Sequence, residues 1–119
     1  PLEFVLESGI KVLVGRNNRE NDRLTFKMSD KGDIWLHTKD IPGSHVLIKC
    51  GAAGCTDEDI REAAGIAAYH SKAKSSENVP VEYVPIRYVK KPQGAKPGMV
   101  IFTNNRTIYA DPREGRSSK

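Results

Sequence analysis

Thr56-Asp-Glu-Asp-Ile-Arg-Glu-Ala-Ala-Gly-Ile-Ala-Ala-Tyr-His-Ser-Lys72 is the stretch on which the fold turns. Thr56 reads as a helix N-cap. Asp57, Glu58 and Asp59 place negative charge in the first turn, where the free amides and the helix dipole favour it. The body runs from Ile60 to Lys72, with Ile60, Ala63, Ala64, Ala67 and Ser71 recurring along one face. Small side chains let a helix lie close against a sheet, so this stripe is a packing face. Lys72 and Lys74 fall at the negative end of the dipole.

The segments around that helix supply the sheet. Residues 3–7 and 10–15 read as strands joined by a tight turn at Ser8-Gly9. Asn17 or Asn18 then caps a short helix reaching to about Met28, with Glu20 placed near its open amides and Leu24 and Met28 on one face. In Asp33-Ile-Trp-Leu-His-Thr-Lys39 the period of two puts Ile34, Leu36 and Thr38 on one side and Trp35 and His37 on the other. Pro42-Gly43 interrupts, and His45-Val-Leu-Ile-Lys-Cys50 follows as a buried strand.

Downstream, residues 80–90 read as a long strand that Pro85 breaks or holds at an edge. Met99–Thr103 and Arg106–Ala110 flank Asn104-Asn105, which predicts a hairpin. Residues 111–119 are polar and expected to fray. The whole predicts one α+β domain over residues 1–119, with a mostly antiparallel sheet and two helices.

Charge divides the chain unevenly. Residues 1–86 carry 11 Lys and Arg against 13 Asp and Glu, whereas residues 87–119 carry 8 against 2. A solvated tail would have this composition, and so would a footprint for a phosphate backbone. No apolar run approaches the roughly 18 residues of a membrane span, and no signal peptide is evident in this piece. The start at Pro1, without Met, leads us to expect an excised part of a longer protein. Cys50 and Cys55 flank Gly51-Ala-Ala-Gly54; with no second pair to complete a metal site, they read as two reduced thiols in a reducing compartment.

Three stretches can carry chemistry. In Gly15-Arg16-Asn17-Asn18 a glycine turn enters a helix N-terminus beside an arginine; an ordinary cap or a phosphate contact would read alike. In Trp35-Leu-His37-Thr-Lys39 and Pro42-Gly43-Ser44-His45 an aromatic, two imidazoles, a hydroxyl and a lysine converge. That surface could stack a base and grip its phosphate, or Trp35 could be a core aromatic with a satisfied histidine beside it. Third, Arg87, Lys90, Lys91 and Lys96 surround Pro92, Gly94, Pro97 and Gly98, a stiff basic loop suited to backbone neutralisation or simply to solvation.

Val14-Gly-Arg-Asn-Asn-Arg-Glu-Asn-Asp22, Asp33-Ile-Trp-Leu-His-Thr-Lys-Asp-Ile-Pro-Gly-Ser-His-Val46, Ala63-Ala-Gly-Ile-Ala-Ala-Tyr-His-Ser-Lys72 and Val89-Lys-Lys-Pro-Gln-Gly-Ala-Lys-Pro-Gly-Met-Val100 together closely resemble the NFACT-R domain. This is the RNA-binding module of the NFACT proteins, some of which bear the older name fibronectin-binding protein A. The four segments stand in the family's order and span essentially the whole chain. The resemblance implies a cytoplasmic parent protein of ribosome-associated quality control. Such a protein binds large ribosomal subunits that still hold peptidyl-tRNA and helps recruit tRNA, so that a tail, alanine in bacteria, extends the stalled chain. The domain linked to tailing in that family has no counterpart in this stretch.

The expected partners are therefore tRNA, the large ribosomal subunit and other domains of the same parent chain, with no membrane and no small-molecule substrate. The expected RNA-binding residues are Arg16, Asn17, Asn18, Trp35, His37, Lys39, Ser44, His45, Lys72, Arg87, Lys90, Lys91 and Lys96, with no catalytic residue, metal or cofactor. Two other classes stay open. One is an RNA-processing enzyme using His37 and His45 with Asp33 or Asp40; the other is a fibronectin-binding adhesin fragment, suggested only by the older family name.

Overall fold

The computed structural model of the chain describes residues 1–118. β1 (Leu2–Val5) and β2 (Lys11–Val14) form a hairpin, closed where Gly9 takes a φ of 90° that a side chain would resist. α1 (Asn18–Phe26) follows, then β3 (Ile34–Thr38), β4 (Val46–Ile48) and α2 (Asp57–Tyr69). β5 (Val79–Pro85) ends at the proline and passes through a single 3-10 turn (Ile86–Tyr88) into β6 (Val89–Lys90). β7 (Ile101–Phe102) and β8 (Arg106–Ala110) complete the elements.

The main sheet has the order β1-β2-β4-β3-β5-β8, and every neighbouring pair is antiparallel. The fold is α+β. Period-two alternation gives the sheet two faces, and both are covered. Val12, Val14, Leu36, Val46, Ile48 and Val81 pack against the alanines of α2. Leu13, Trp35, Leu47 and Val84 pack with Leu24 of α1 and with β6–β7. α2 itself begins as expected, in a capping box where Thr56 Oγ1 accepts from the Asp59 amide and Asp59 accepts from the Thr56 amide.

Four expectations change. The hairpin across Asn104-Asn105 does not pair its own arms. Asn104 does turn the chain, at φ 61°, but β7 joins β6 in a separate two-stranded sheet while β8 extends the main sheet beside β5. The cause is that Phe102 is drawn to Trp35, with ring centroids 5.1 Å apart, while Ile108 and Ala110 belong to the α2 side. Cys50 and Cys55 are joined in a disulfide instead of standing as thiols. Gly51 and Gly54, both at positive φ, fold the intervening loop back so that the sulfurs meet, and the cysteines no longer argue for a reducing compartment.

Trp35 is only 1% exposed, because α1 and β6–β7 cover its face. The polar tail, finally, is docked. Arg113 N–H donates to Gly65 O (3.0 Å), Val5 N–H to Arg116 O (2.9 Å), and Phe4 bridges to Ser117. Lys119, the last residue of that expected frayed tail, lies outside the described residues.

Gly65 is what admits the tail: a Cβ there would stand 2.9 Å from Arg113 Cβ and 3.1 Å from Asp111 O. Gly65→Ala should therefore push residues 111–117 outward and cost about 1–3 kcal/mol, as overpacking does. Hydrogen exchange checks this at the Arg113 and Val5 amides, which should lose protection while the amides of β3 keep theirs. Uniform retention of protection would show that the tail adjusts without leaving.

Candidate nucleic-acid interface

Where β2 ends, α1 begins and β4 starts, buried polar side chains fix the backbone. Gly15 N–H donates to His45 O (3.1 Å), and His45 N–H donates to Asn21 Oδ1 (3.0 Å). Asn21 sits so tightly on Gly15 that any Cβ there would collide with its amide. From this anchor Asn17 caps α1, its side chain accepting from the Glu20 amide (2.9 Å). Glu20 reaches back to the Arg16 amide (2.9 Å) and pairs with its guanidinium (2.6 Å). The hydrogen bonds from the Arg16 side chain and backbone hold the Glu20 carboxyl at about 2.

The Pro42-Gly43 kink is tied to the end of α2. Lys72 N–H donates to Pro42 O (2.8 Å), and Ser44 N–H donates to His70 O (3.1 Å). Gly43 is needed, since a Cβ would lie 2.9 Å from both Ser71 Cβ and Thr38 Oγ1. These ties leave a groove of about 350 Å³ that gathers Arg16, Asn17, Asn18, Ser44 and Lys72. Five of the expected RNA-binding residues, from three separate segments, thus share one concave surface. Pro42 and Gly43 border it with them, and the first-turn amides of α1 have no acceptor within the helix.

Trp35, His37 and His45 also come together, but around a different hollow, of about 210 Å³, walled by Gly98, Met99, Val100 and Phe102. The Trp35 ring lies 6.0 Å from His37 and 5.0 Å edge-on from His45. A relay of hydrogen bonds explains the arrangement. Trp35 Nε1–H donates to Thr25 Oγ1 (3.1 Å), and Thr25 Oγ1 lies 3.0 Å from His45 Nδ1. His45 Nε2 lies 3.1 Å from Gly98 O. With Thr25 donating to Nδ1, His45 is the neutral tautomer protonated on Nε2, which donates to Gly98.

Burial, reinforced by the nearby His37 ring, pushes His45 down to about 4, and burial also lowers His37. At neutral pH His45 is therefore an uncharged pin between the core and the basic loop. Of the two readings the sequence left open, the structure has Trp35 as a core aromatic and His45 as its satisfied partner, both hydrogen-bonded within the chain. His37 remains partly exposed.

The basic loop itself is held by Asp22, which pairs with Lys91 (3.0 Å) and accepts from the Gly98 amide (2.9 Å). Lys91 Nζ also donates to Lys96 O (2.8 Å) and Met99 O (3.2 Å), so this lysine braces the loop. Lys90 and Lys96 are exposed, and Arg87 lies over the Tyr88 ring at 4.7 Å. Lys39 is exposed just past the end of β3 and acts on Glu82. Asp33 bonds Lys49 (2.7 Å) at the opposite end of β3 from His37, about 13 Å along the strand. It does not join the two histidines. Among the described residues no group of three or more His, Cys, Asp or Glu is placed to hold a metal.

The sequence reading missed Asn21, Thr25 and Asp22, the polar residues of α1 that lock the groove and the loop. It also missed Arg19, Arg23 and Lys27, exposed cations whose spacing of four on a predicted helix was the available signal.

Residues 3–96 match the family model described as the NFACT protein RNA binding domain. The chain is 54% identical over 105 residues to the Rqc2 homolog RqcH of Bacillus subtilis, covering 88% of this chain and 18% of that protein. It is 44% identical over 113 residues to the Rqc2 homolog RqcH of Streptococcus pneumoniae, covering 93% of this chain and 20% of that protein. The chain thus spans about a fifth of the length of these relatives. Among solved structures, the C-terminal part of the fibronectin/fibrinogen-binding protein of Streptococcus suis superposes with a TM-score of 0.90 at 43% identity, covering 96% of this chain and 46% of that one. The chain belongs to the NFACT RNA-binding domain family.

Proposed function

We propose that this domain is the RNA-holding module of a ribosome-associated quality-control factor, that it grips tRNA or the RNA of the large subunit, and that it supports alanine tailing without catalysing it. The observation that carries the reading is the groove in which Arg16, Asn17, Asn18, Ser44 and Lys72 meet. Arginine, lysine, hydroxyl, amide side chains and helix-start amides are the groups that bind phosphate and sugar oxygens. Glu20 offsets part of the Arg16 charge, so Lys72, exposed and without an ion-pair partner among the described residues, is the principal cation of the groove. No helix among the described residues is long and apolar enough to cross a membrane.

Arg16→Ala combined with Lys72→Ala, made in the full-length parent, should weaken tRNA and large-subunit association across sequences. The log–log salt slope should fall by about one to two units, as expected for two lost phosphate contacts. The thermal melt should stay where it is, because both side chains face solvent. Co-sedimentation with large subunits, run beside a melting curve, makes the comparison. Wild-type association by the double variant would remove the groove from the interface.

A further inference from the structure

We propose that a single RNA strand leaves this groove, crosses the start of α1 and runs along the helix's outer face, with its phosphates held by Arg19, Arg23, Lys27 and Lys96. The proposal rests on the RNA-binding reading above and names the path the strand takes. Arg19, Arg23 and Lys27 are all exposed and recur every four residues. At 1.5 Å of rise per residue they stand about 6 Å apart along the axis, a step comparable to that between neighbouring phosphates on an extended strand.

None of these four cations forms an ion pair with a carboxylate among the described residues. The acids of α1 are already engaged: Glu20 by Arg16, and Asp22 by Lys91 and the Gly98 amide. Like charges four apart destabilise a helix, and α1 has only nine residues over which to offset the repulsion. A polyanion laid along the stripe removes it.

The surface is continuous. A hollow of about 490 Å³ between Asn17, Asn18, Arg19, Lys96 and Pro97 shares both asparagines with the groove. It shares Arg19 in turn with a second hollow, of about 340 Å³, that runs past Arg23 and Lys27. Phe26, partly buried, forms an apolar part of this last hollow, where a base can rest while its phosphate faces the cations. Asp22 of α1 holds Lys91 and the Gly98 amide, and Lys91 Nζ donates to Lys96 O, so the loop that carries Lys96 is tied beside α1.

The test measures binding of a fluorescent oligouridine to the 119-residue chain across a salt series. Wild type is compared with the variant Arg19→Ala, Arg23→Ala, Lys27→Ala, and with Lys72→Ala. The triple variant should lose about two units of log–log slope, at about 0.7 per phosphate contact on a single strand, with a melt equal to or above wild type. A wild-type slope in the triple variant, with slope lost in Lys72→Ala, would overturn the path and leave the groove standing. Preference of the wild-type chain for duplex RNA over oligouridine would overturn the single-strand assignment. Wild type that binds neither RNA at low salt takes down the groove reading and the path together.

Discussion

Trp35→Ala lowers the stability of the domain by about 3–5 kcal/mol, the range for removing a fully buried large aromatic. Domains of this kind hold only about 5–15 kcal/mol in total, so the loss is a large share of what keeps the chain folded. Its origin is local. Trp35 fills the space between α1, β6–β7 and the central strands, touches the rings of Phe102, His37 and His45, and gives its indole proton to Thr25. Trp35→Phe should cost less, because a ring is retained, while leaving Thr25 Oγ1 without its donor. Chemical denaturation measures both variants. RNA affinity of the folded fraction should remain at the wild-type value. An unchanged denaturation midpoint with lost RNA affinity would show instead that Trp35 swings out to stack on a base.

The second large effect is acid sensitivity centred on His45. Its folded value lies at about 4 against an ordinary 6.5, so the unfolded chain binds the proton more readily. Stability is therefore complete above pH 6.5 and falls as the pH drops toward 4. The loss reaches about 3 kcal/mol at pH 4 from this group alone. His37 and His70, both lowered by burial, act in the same direction. Denaturation midpoints at pH 7, 5.5 and 4.5 should fall steeply in the wild type and less in His45→Gln, which starts lower but has no proton to take up there. Parallel pH profiles for the two proteins would mean that protonating His45 does not disturb the relay through Thr25 and Gly98.

Local chemistry was readable in the sequence, and long-range coverage was not. The Thr56 cap, the Asn17 cap and the two faces of β3 follow from short-range rules that operate within one turn or one strand. Gathering Arg16, Ser44 and Lys72 needed only that each lie at a chain reversal near the same end of the sheet. Alternation tells which residues share a face but not whether a later element will cover it, so Trp35 and His45 looked available until β6–β7 closed over them. The same limit explains the split hairpin, since local turn chemistry at Asn104 says nothing about competing partners. Docking of residues 111–118 depended on an absent side chain at Gly65, which no polarity pattern announces.

Asp22 places a negative charge beside Arg19, Arg23 and Lys27, and at first sight this weakens the domain as a receptor for a polyanion. What it supplies is order. By clamping Lys91 and the Gly98 amide it removes conformational freedom from a loop with two prolines and two glycines before any partner arrives. Immobilising a long, mobile side chain on binding costs about 0.5–1.5 kcal/mol, and a loop adds more. Here much of that entropy is already lost when the chain folds, so encounter with RNA selects a surface that exists beforehand instead of assembling one.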